Sequence, residues 1–192
     1  MLVKKIAILF SGTGSNLENL LEKLHQKEFD GFRIEVVLTL CNKPGALGIE
    51  KSRKFGIEPV LLDHTKFPDR EAFDRRLVQE IQNSGAELCV LAGFMRFLTP
   101  YFTQNIKAIN LHPSLLPLFK GGHAIEESYA SAMKVGGISV HYVSEELDGG
   151  EIIAQKCFEK KADMSLESFE NCIHQLEHDL LPEVIVDILS KK

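Results

Sequence analysis

The run from Lys5 to Phe10 is short and apolar and stops at once in Ser11-Gly12-Thr13-Gly14, after which Leu17, Leu20, Leu21 and Leu24 fall at helical spacing. A buried strand, a glycine turn and a helix, in that order, open a βα repeat. The pattern recurs downstream. Arg33 to Leu40 is β-rich, Ala46 to Phe55 suits a helix, Pro59 to Leu62 a short strand, Arg70 to Ser84 a helix and Leu88 to Ala92 another buried strand. Alternation at these lengths demands crossover connections. The expected fold class is therefore α/β: a Rossmann-like, mostly parallel sheet with helices on both faces, whose ligands bind beyond the carboxyl ends of the strands.

After Asn110 the pattern changes to a proline- and glycine-rich stretch reaching Gly122, a helix near Ala124 to Met133, and strands near Ser139 to Val143 and Ile152 to Phe158. The last two flank Asp148-Gly149-Gly150, which predicts an antiparallel extension of the sheet in the C-terminal part. An amphipathic helix from about Leu166 closes the chain, with Pro182 expected to disturb it. With 192 residues and no linker or internal repeat, one domain over 1–192 is expected.

Composition sets outer limits. A formal charge of -5 argues against a broad nucleic-acid-binding surface. The N-terminal apolar run is too short for a signal core or a membrane span. Cys41, Cys89, Cys157 and Cys172 include no close pair, which favours reduced thiols and a cytoplasmic location over a zinc knuckle or dithiol motif.

Gly12-Thr13-Gly14-Ser15-Asn16 lies between strand and helix, where glycines let backbone amides approach an anion and the helix N-terminus favours negative charge. A dinucleotide site would want glycine where Leu17 stands and an acidic residue where Cys41-Asn42-Lys43 ends the second strand. No Gly-Lys-Ser/Thr ending is present either, so a monophosphate is the better ligand. The bland alternative is a tight turn with Ser15 as helix cap.

Asn110 and His112 are two apart in an extended segment and so share one side of it, while Asp148 sits on a glycine-softened turn from which a carboxylate could reach an imidazole. An amide donor, a histidine and a carboxylate suit acyl transfer, the first two stabilising developing negative charge and the third tuning proton movement. Each residue alone is as readily structural. A zinc site from His112, His123 and His141 is conceivable, but it lacks a short two-ligand motif.

The string Asn110 to Pro117 followed by Leu147-Asp148-Gly149-Gly150 resembles the signature of the 10-formyltetrahydrofolate-using formyltransferases. Gly12 to Asn16, Ala92-Gly93-Phe94-Met95-Arg96 and Glu177 narrow the resemblance to the glycinamide ribonucleotide transformylase family. It covers essentially the whole chain and implies small-molecule substrates, glycinamide ribonucleotide and formyl-folate, without metal, nucleic acid or membrane, in a monomer or weak homodimer. Carried over by resemblance, Asn110, His112 and Asp148 are catalytic; Gly14, Ser15 and Asn16 bind the substrate phosphate; Glu177 and His174 contact its ribose. Arg70, Met95, Arg96, Phe97, Leu98, Ser144, Glu145 and Leu147 line the folate pocket. Read without the resemblance, Glu177 is a solvated helix residue, Arg70 a surface charge, and Met95 and Leu98 plain core.

Methionyl-tRNA formyltransferase shares the Asn-x-His-Pro-Ser string but adds a C-terminal tRNA domain, and formyltetrahydrofolate hydrolase adds an N-terminal regulatory one. Neither extension is expected here. A non-catalytic nucleotide-binding module with the same fold is the alternative from another class.

Overall fold

The structure is a computed structural model, described for residues 1–191. Its strands are β1 (Leu2–Phe10), β2 (Glu28–Phe29), β3 (Phe32–Cys41), β4 (Val60–Leu61), β5 (Leu88–Leu91), β6 (Ala108–His112), β7 (Val135–Tyr142) and β8 (Ile152–Glu159). Its helices are α1 (Ser15–Leu24), α2 (Gly48–Lys54), α3 (Arg70–Ser84), α4 (Pro100–Asn105), α5 (Ala124–Ala130) and α6 (Leu166–Ser190). One sheet runs in the order β2-β3-β1-β5-β6-β7-β8, with β4 beside β3.

Pairing is parallel from β4 through β3, β1 and β5 to β6, then antiparallel for β6 with β7 and β7 with β8. The chain leaves β1 to one side for β3 and returns to its other side for β5. The strand order therefore reverses at β1, and the crevice beyond the carboxyl ends of β1 and β5 is where such sheets place ligands.

Strand alternation splits the core into two layers. Ile6, Ile8 and Phe10 face α1 and α6, packing with Leu17, Leu21, Phe169 and Ile185. Ala7 and Leu9 face the other way, against Phe73, Leu77 and Ile81 of α3 and Phe102 of α4. A two-residue period in a strand buried on both faces requires this division.

The last helix departs from expectation, because α6 runs through Pro182 to Ser190. Proline has no N–H for the carbonyl four residues back, here that of His178. That carbonyl instead accepts hydrogen bonds from Asn19 Nδ2 at 2.9 Å and Lys23 Nζ at 2.7 Å, both on α1. The bond missing inside α6 is replaced by contacts that fasten it to α1. Helix α2 is also shorter than its sequence pattern, beginning at Gly48 rather than Ala46.

Candidate active site

The turn over residues 12–16, the expected phosphate turn, is backbone architecture. Gly14 adopts φ +70°, and a Cβ there would lie 2.6 Å from Gly48 Cα, so the turn is closed against α2 and only glycine fits. Ser15 is the first helical residue and not the cap: Gly14 occupies the cap position, and no side chain caps the helix. The first bond within α1 runs from Glu18 N–H to Gly14 O at 3.0 Å, which leaves the preceding amides aimed out of the N-terminus. Glu18 is a repulsive charge for an anion there, but Lys51 bonds it at 2.7 Å. That bond first of all holds its carboxyl below the ordinary value.

The side chain of Asn16 turns away from the amides. Its Nδ2 donates to Glu177 Oε2 at 3.0 Å, and its Oδ1 is buried without a partner. His174 Nδ1 meets the same Glu177 oxygen at 3.0 Å, and this bond lifts the His174 pKa above its usual value. Glu177 is only 5% exposed, so the solvated-helix alternative does not hold. Asn16, His174 and Glu177 thus form one cluster flanking the turn, with an acceptor left free on Asn16.

The second cluster is built from side chains. Strand β6 places Asn110 and His112 on the same side, and the antiparallel register sets His141 of β7 directly opposite Asn110. The loop after β7 brings in Asp148, whose backbone is at φ +47°, a conformation strained for a residue with a Cβ. Gly150 makes that loop possible, because a Cβ there would sit 1.8 Å from Tyr142 O.

Around Asp148, His112 Nδ1 lies 3.4 Å from Oδ2, His141 Nε2 3.7 Å from Oδ1, and Gly121 N–H donates to Oδ2 at 2.9 Å. Burial alone would raise the Asp148 carboxyl. The His141 bond, the Gly121 amide and the nearby His112 outweigh it and hold the carboxyl below its usual value.

Carbonyl oxygens only accept, so an imidazole nitrogen bonded to one carries a hydrogen. His112 Nε2 contacts Phe119 O at 2.8 Å and therefore carries a hydrogen. His141 Nδ1 contacts Tyr142 O at 2.9 Å and carries one too. Asn110 Nδ2 lies 3.2 Å from His141 Nε2 and donates one hydrogen to it when that nitrogen carries none. The other amide hydrogen of Asn110 points towards Asp148 Oδ1 at 3.5 Å, a contact long enough to give up to a reacting oxygen.

These side chains open onto a cleft of about 500 Å³. All eight residues assigned to the folate by resemblance line it: Arg70, Met95, Arg96, Phe97, Leu98, Ser144, Glu145 and Leu147. Met95 (67% exposed) and Phe97 (57%) give it an apolar rim, so Met95 is not plain core. Leu98 packs on the α3 layer while also facing the cleft. Arg70 stacks over the Phe97 ring at 5.5 Å. Arg96 lies over Phe73 at 5.6 Å and keeps a buried, unpartnered Nε. Apolar walls with a few fixed polar groups suit a flat heterocycle, and two guanidinium groups suit a carboxylate tail. A more open depression at the start of α3, lined by Asp69, Arg70, Arg75 and Thr99, adjoins this cleft through Arg70 and holds none of the Asn110 cluster.

Gly121, Phe119 and Asp74 carry no signal in the sequence, and His141, a zinc candidate there, stands instead beside Asn110 and Asp148. Asp74 is buried on α3 and accepts from Thr99 N at 2.6 Å and Thr99 Oγ1 at 2.7 Å, anchoring the end of the Met95–Leu98 segment. Its burial pushes its carboxyl pKa up. The zinc alternative does not assemble: His112 and His141 flank Asp148, but His123 is an exposed residue at the start of α5. Among the described residues no group of three or more His, Cys, Asp or Glu side chains could hold a metal ion.

A family model described as formyl transferase matches residues 4–185. Phosphoribosylglycinamide formyltransferase of Bacillus subtilis is 38% identical over 98% of this chain and 96% of its own. The trifunctional purine biosynthetic protein adenosine-3 of Drosophila melanogaster is 34% identical over 97% of this chain, which spans 14% of that protein's length. The crystal structure of phosphoribosylglycinamide formyltransferase from Campylobacter jejuni superposes with a TM-score of 0.96 at 62% identity, covering 98% of this chain and 99% of the other. The Bacillus halodurans enzyme does so with 0.89 at 35% identity, covering 98% and 96%. The chain belongs to the formyl transferase family and, within it, to the phosphoribosylglycinamide formyltransferases.

Proposed function

We infer that the chain transfers the formyl group of 10-formyltetrahydrofolate to the primary amine of 5-phosphoribosylglycinamide, giving formylglycinamide ribonucleotide and tetrahydrofolate. The observation that carries this reading is the convergence of Asn110, His112 and Asp148 on the cleft that also collects the eight folate residues.

The phosphate sits on the amides of Gly14, Ser15 and Asn16, and Glu177 with His174 takes the ribose. The folate occupies the cleft with its carboxylate tail towards Arg70 and Arg96. In the reaction the amine nitrogen bonds to the formyl carbon, the bond from that carbon to the folate nitrogen breaks, and one proton passes from amine to folate nitrogen. The amide hydrogen of Asn110 and the Nε2–H of His112 stabilise the oxyanion. The second of these is now spent on Phe119 O, so the reacting oxygen competes with a backbone carbonyl for it. Asp148 orients His112 and, ionised at neutral pH, accepts and returns protons. His141 fixes the Asn110 carboxamide. The enzyme works as a monomer or weak homodimer in the cytoplasm, a location in keeping with its free cysteines.

The test mixes the chain with glycinamide ribonucleotide and a formyl-folate and follows the absorbance of deformylated folate. Turnover is expected. None at ample enzyme concentration favours a binding module that kept the fold without the chemistry.

A further inference from the structure

We propose that Ser11 and Asn42 are positioning residues that hold the phosphate turn and the folate-lining segment in register, so that occupancy of either half-site is felt at the other. The inference rests on the reaction proposed above. Both residues are buried, and neither lines the cleft.

Ser11 follows the last residue of β1 and joins the two half-sites. Its N–H donates to Gly93 O at 3.1 Å. Its Oγ accepts from Met95 N–H at 2.8 Å and donates to Asn42 Oδ1 at 2.5 Å. A separation of 2.5 Å falls in the range of O–H···O bonds and below that of N–H···O bonds, so the oxygen of the Asn42 carboxamide faces Ser11. A hydroxyl has one hydrogen. Committing it to Asn42 leaves the lone pairs aimed at Met95.

Asn42 is itself pinned. His64 Nδ1 lies 3.0 Å from Asn42 O and 3.2 Å from Asn42 Nδ2, so either imidazole tautomer makes a bond to it. The adjoining Gly12 O accepts from Gly48 N–H at 3.1 Å, and the turn then leads to Gly14, Ser15 and Asn16. On the other side Met95 leads to Arg96, Phe97 and Leu98. A shift of the turn on taking up phosphate reaches the folate segment through the Ser11 backbone bond to Gly93 and through a buried hydroxyl that has no solvent to absorb it, the second being the link that the side chain controls.

The proposed chemistry has a use for such a link. The amine travels on a molecule anchored by its phosphate, the formyl carbon on one anchored in the cleft, and the two must meet at about 3–3.5 Å. An error in their relative placement lowers kcat while leaving each ligand bound.

Ser11→Ala removes the hydroxyl alone. Glycinamide ribonucleotide and a folate analogue without a transferable formyl group are titrated into wild type and variant by calorimetry, each alone and each with the other saturating, and kcat is measured in parallel. In wild type each ligand should bind about fivefold or more tighter when the other is present. In Ser11→Ala that factor should fall towards one and kcat should drop at least about tenfold, with single-ligand affinities within about threefold of wild type. Asn42→Asp, which keeps an acceptor for the hydroxyl, should retain the linkage and Asn42→Leu should lose it; this pair decides the matter if Ser11→Ala does not fold. The proposal is overturned if wild type shows no linkage, if Ser11→Ala keeps both linkage and kcat, if Ser11→Ala weakens each ligand alone to the same extent as the pair, or if the two Asn42 variants behave alike. A wild-type chain without turnover overturns the proposed reaction instead, before any variant is made.

Discussion

The two halves of this site are made of different materials. The phosphate turn belongs to the parallel half of the sheet and offers main-chain amides, held in place because Gly14 closes against Gly48. The Asn110 cluster belongs to the antiparallel half and offers side chains, brought together by the pairing of β6 with β7 and by a loop strained at Asp148. A backbone site tolerates changes of side chain until a Cβ no longer fits. A side-chain site tolerates changes of backbone until register slips, but loses its function with a single functional group.

That contrast breaks first at the side-chain half. His112→Ala and Asn110→Ala should each lower kcat about a hundredfold or more, as loss of an oxyanion donor does, with little change in KM for glycinamide ribonucleotide. Next in size, Gly14→Val should raise that KM far more than the KM for folate, which changes only through the linkage. Because the substitution forces a Cβ into φ +70° and onto Gly48, it should also cost about 1–3 kcal/mol of stability, read as a lower urea midpoint. An effect on folate KM alone would move the phosphate elsewhere.

A smaller effect is expected at Asp74→Ala, which leaves Thr99 N–H without its acceptor and loosens the Met95–Leu98 segment. Folate KM should rise several-fold and kcat should stay within a factor of about three, since Thr99 loses the acceptor of both its N–H and its hydroxyl and each orphaned donor costs about 1–3 kcal/mol. An unchanged folate KM would show that the anchor is purely structural.

The smallest effects separate the halves by the sign of their pH dependence. The Asp148 carboxyl lies below its ordinary 3.8, so its contribution to stability is present above that value and is lost as pH falls through the lower folded one. His174 lies above its ordinary 6.5, so its pairing with Glu177 contributes fully below 6.5 and fades as pH rises through the folded value. Urea midpoints against pH should therefore flatten on the acid side in Asp148→Asn and on the neutral-to-alkaline side in His174→Gln. The second change is slight because the His174 side chain is half exposed. Flattening on the wrong side in either variant would contradict the assigned pairings.

Local patterns carried much of this into the sequence. Helix α3 starts and ends where its residues say, capped by Asp69 through Ala72 N–H and stopped by Gly85 at φ +72°. The strand, turn and helix around the phosphate turn and the pairing of Asn110 with His112 on one side were legible for the same reason. What stayed hidden depends on contacts distant in sequence. His141 joins the cluster only through antiparallel register, which a sequence period of two cannot supply. Pro182 reads as a helix breaker until Asn19 and Lys23 are seen at the carbonyl it strands. The backbone amide of Asn16 reads as part of the phosphate turn, but the tie of its side chain to Glu177, 161 residues away, does not.

The division of labour is tested most directly by steady-state kinetics of His112→Ala and Gly14→Val measured side by side with both substrates varied. A crossed pattern is expected: kcat falls in His112→Ala with KM for glycinamide ribonucleotide near wild type, and that KM rises in Gly14→Val with kcat far less affected. Near-normal kcat in His112→Ala, or the same pattern in both variants, would contradict it.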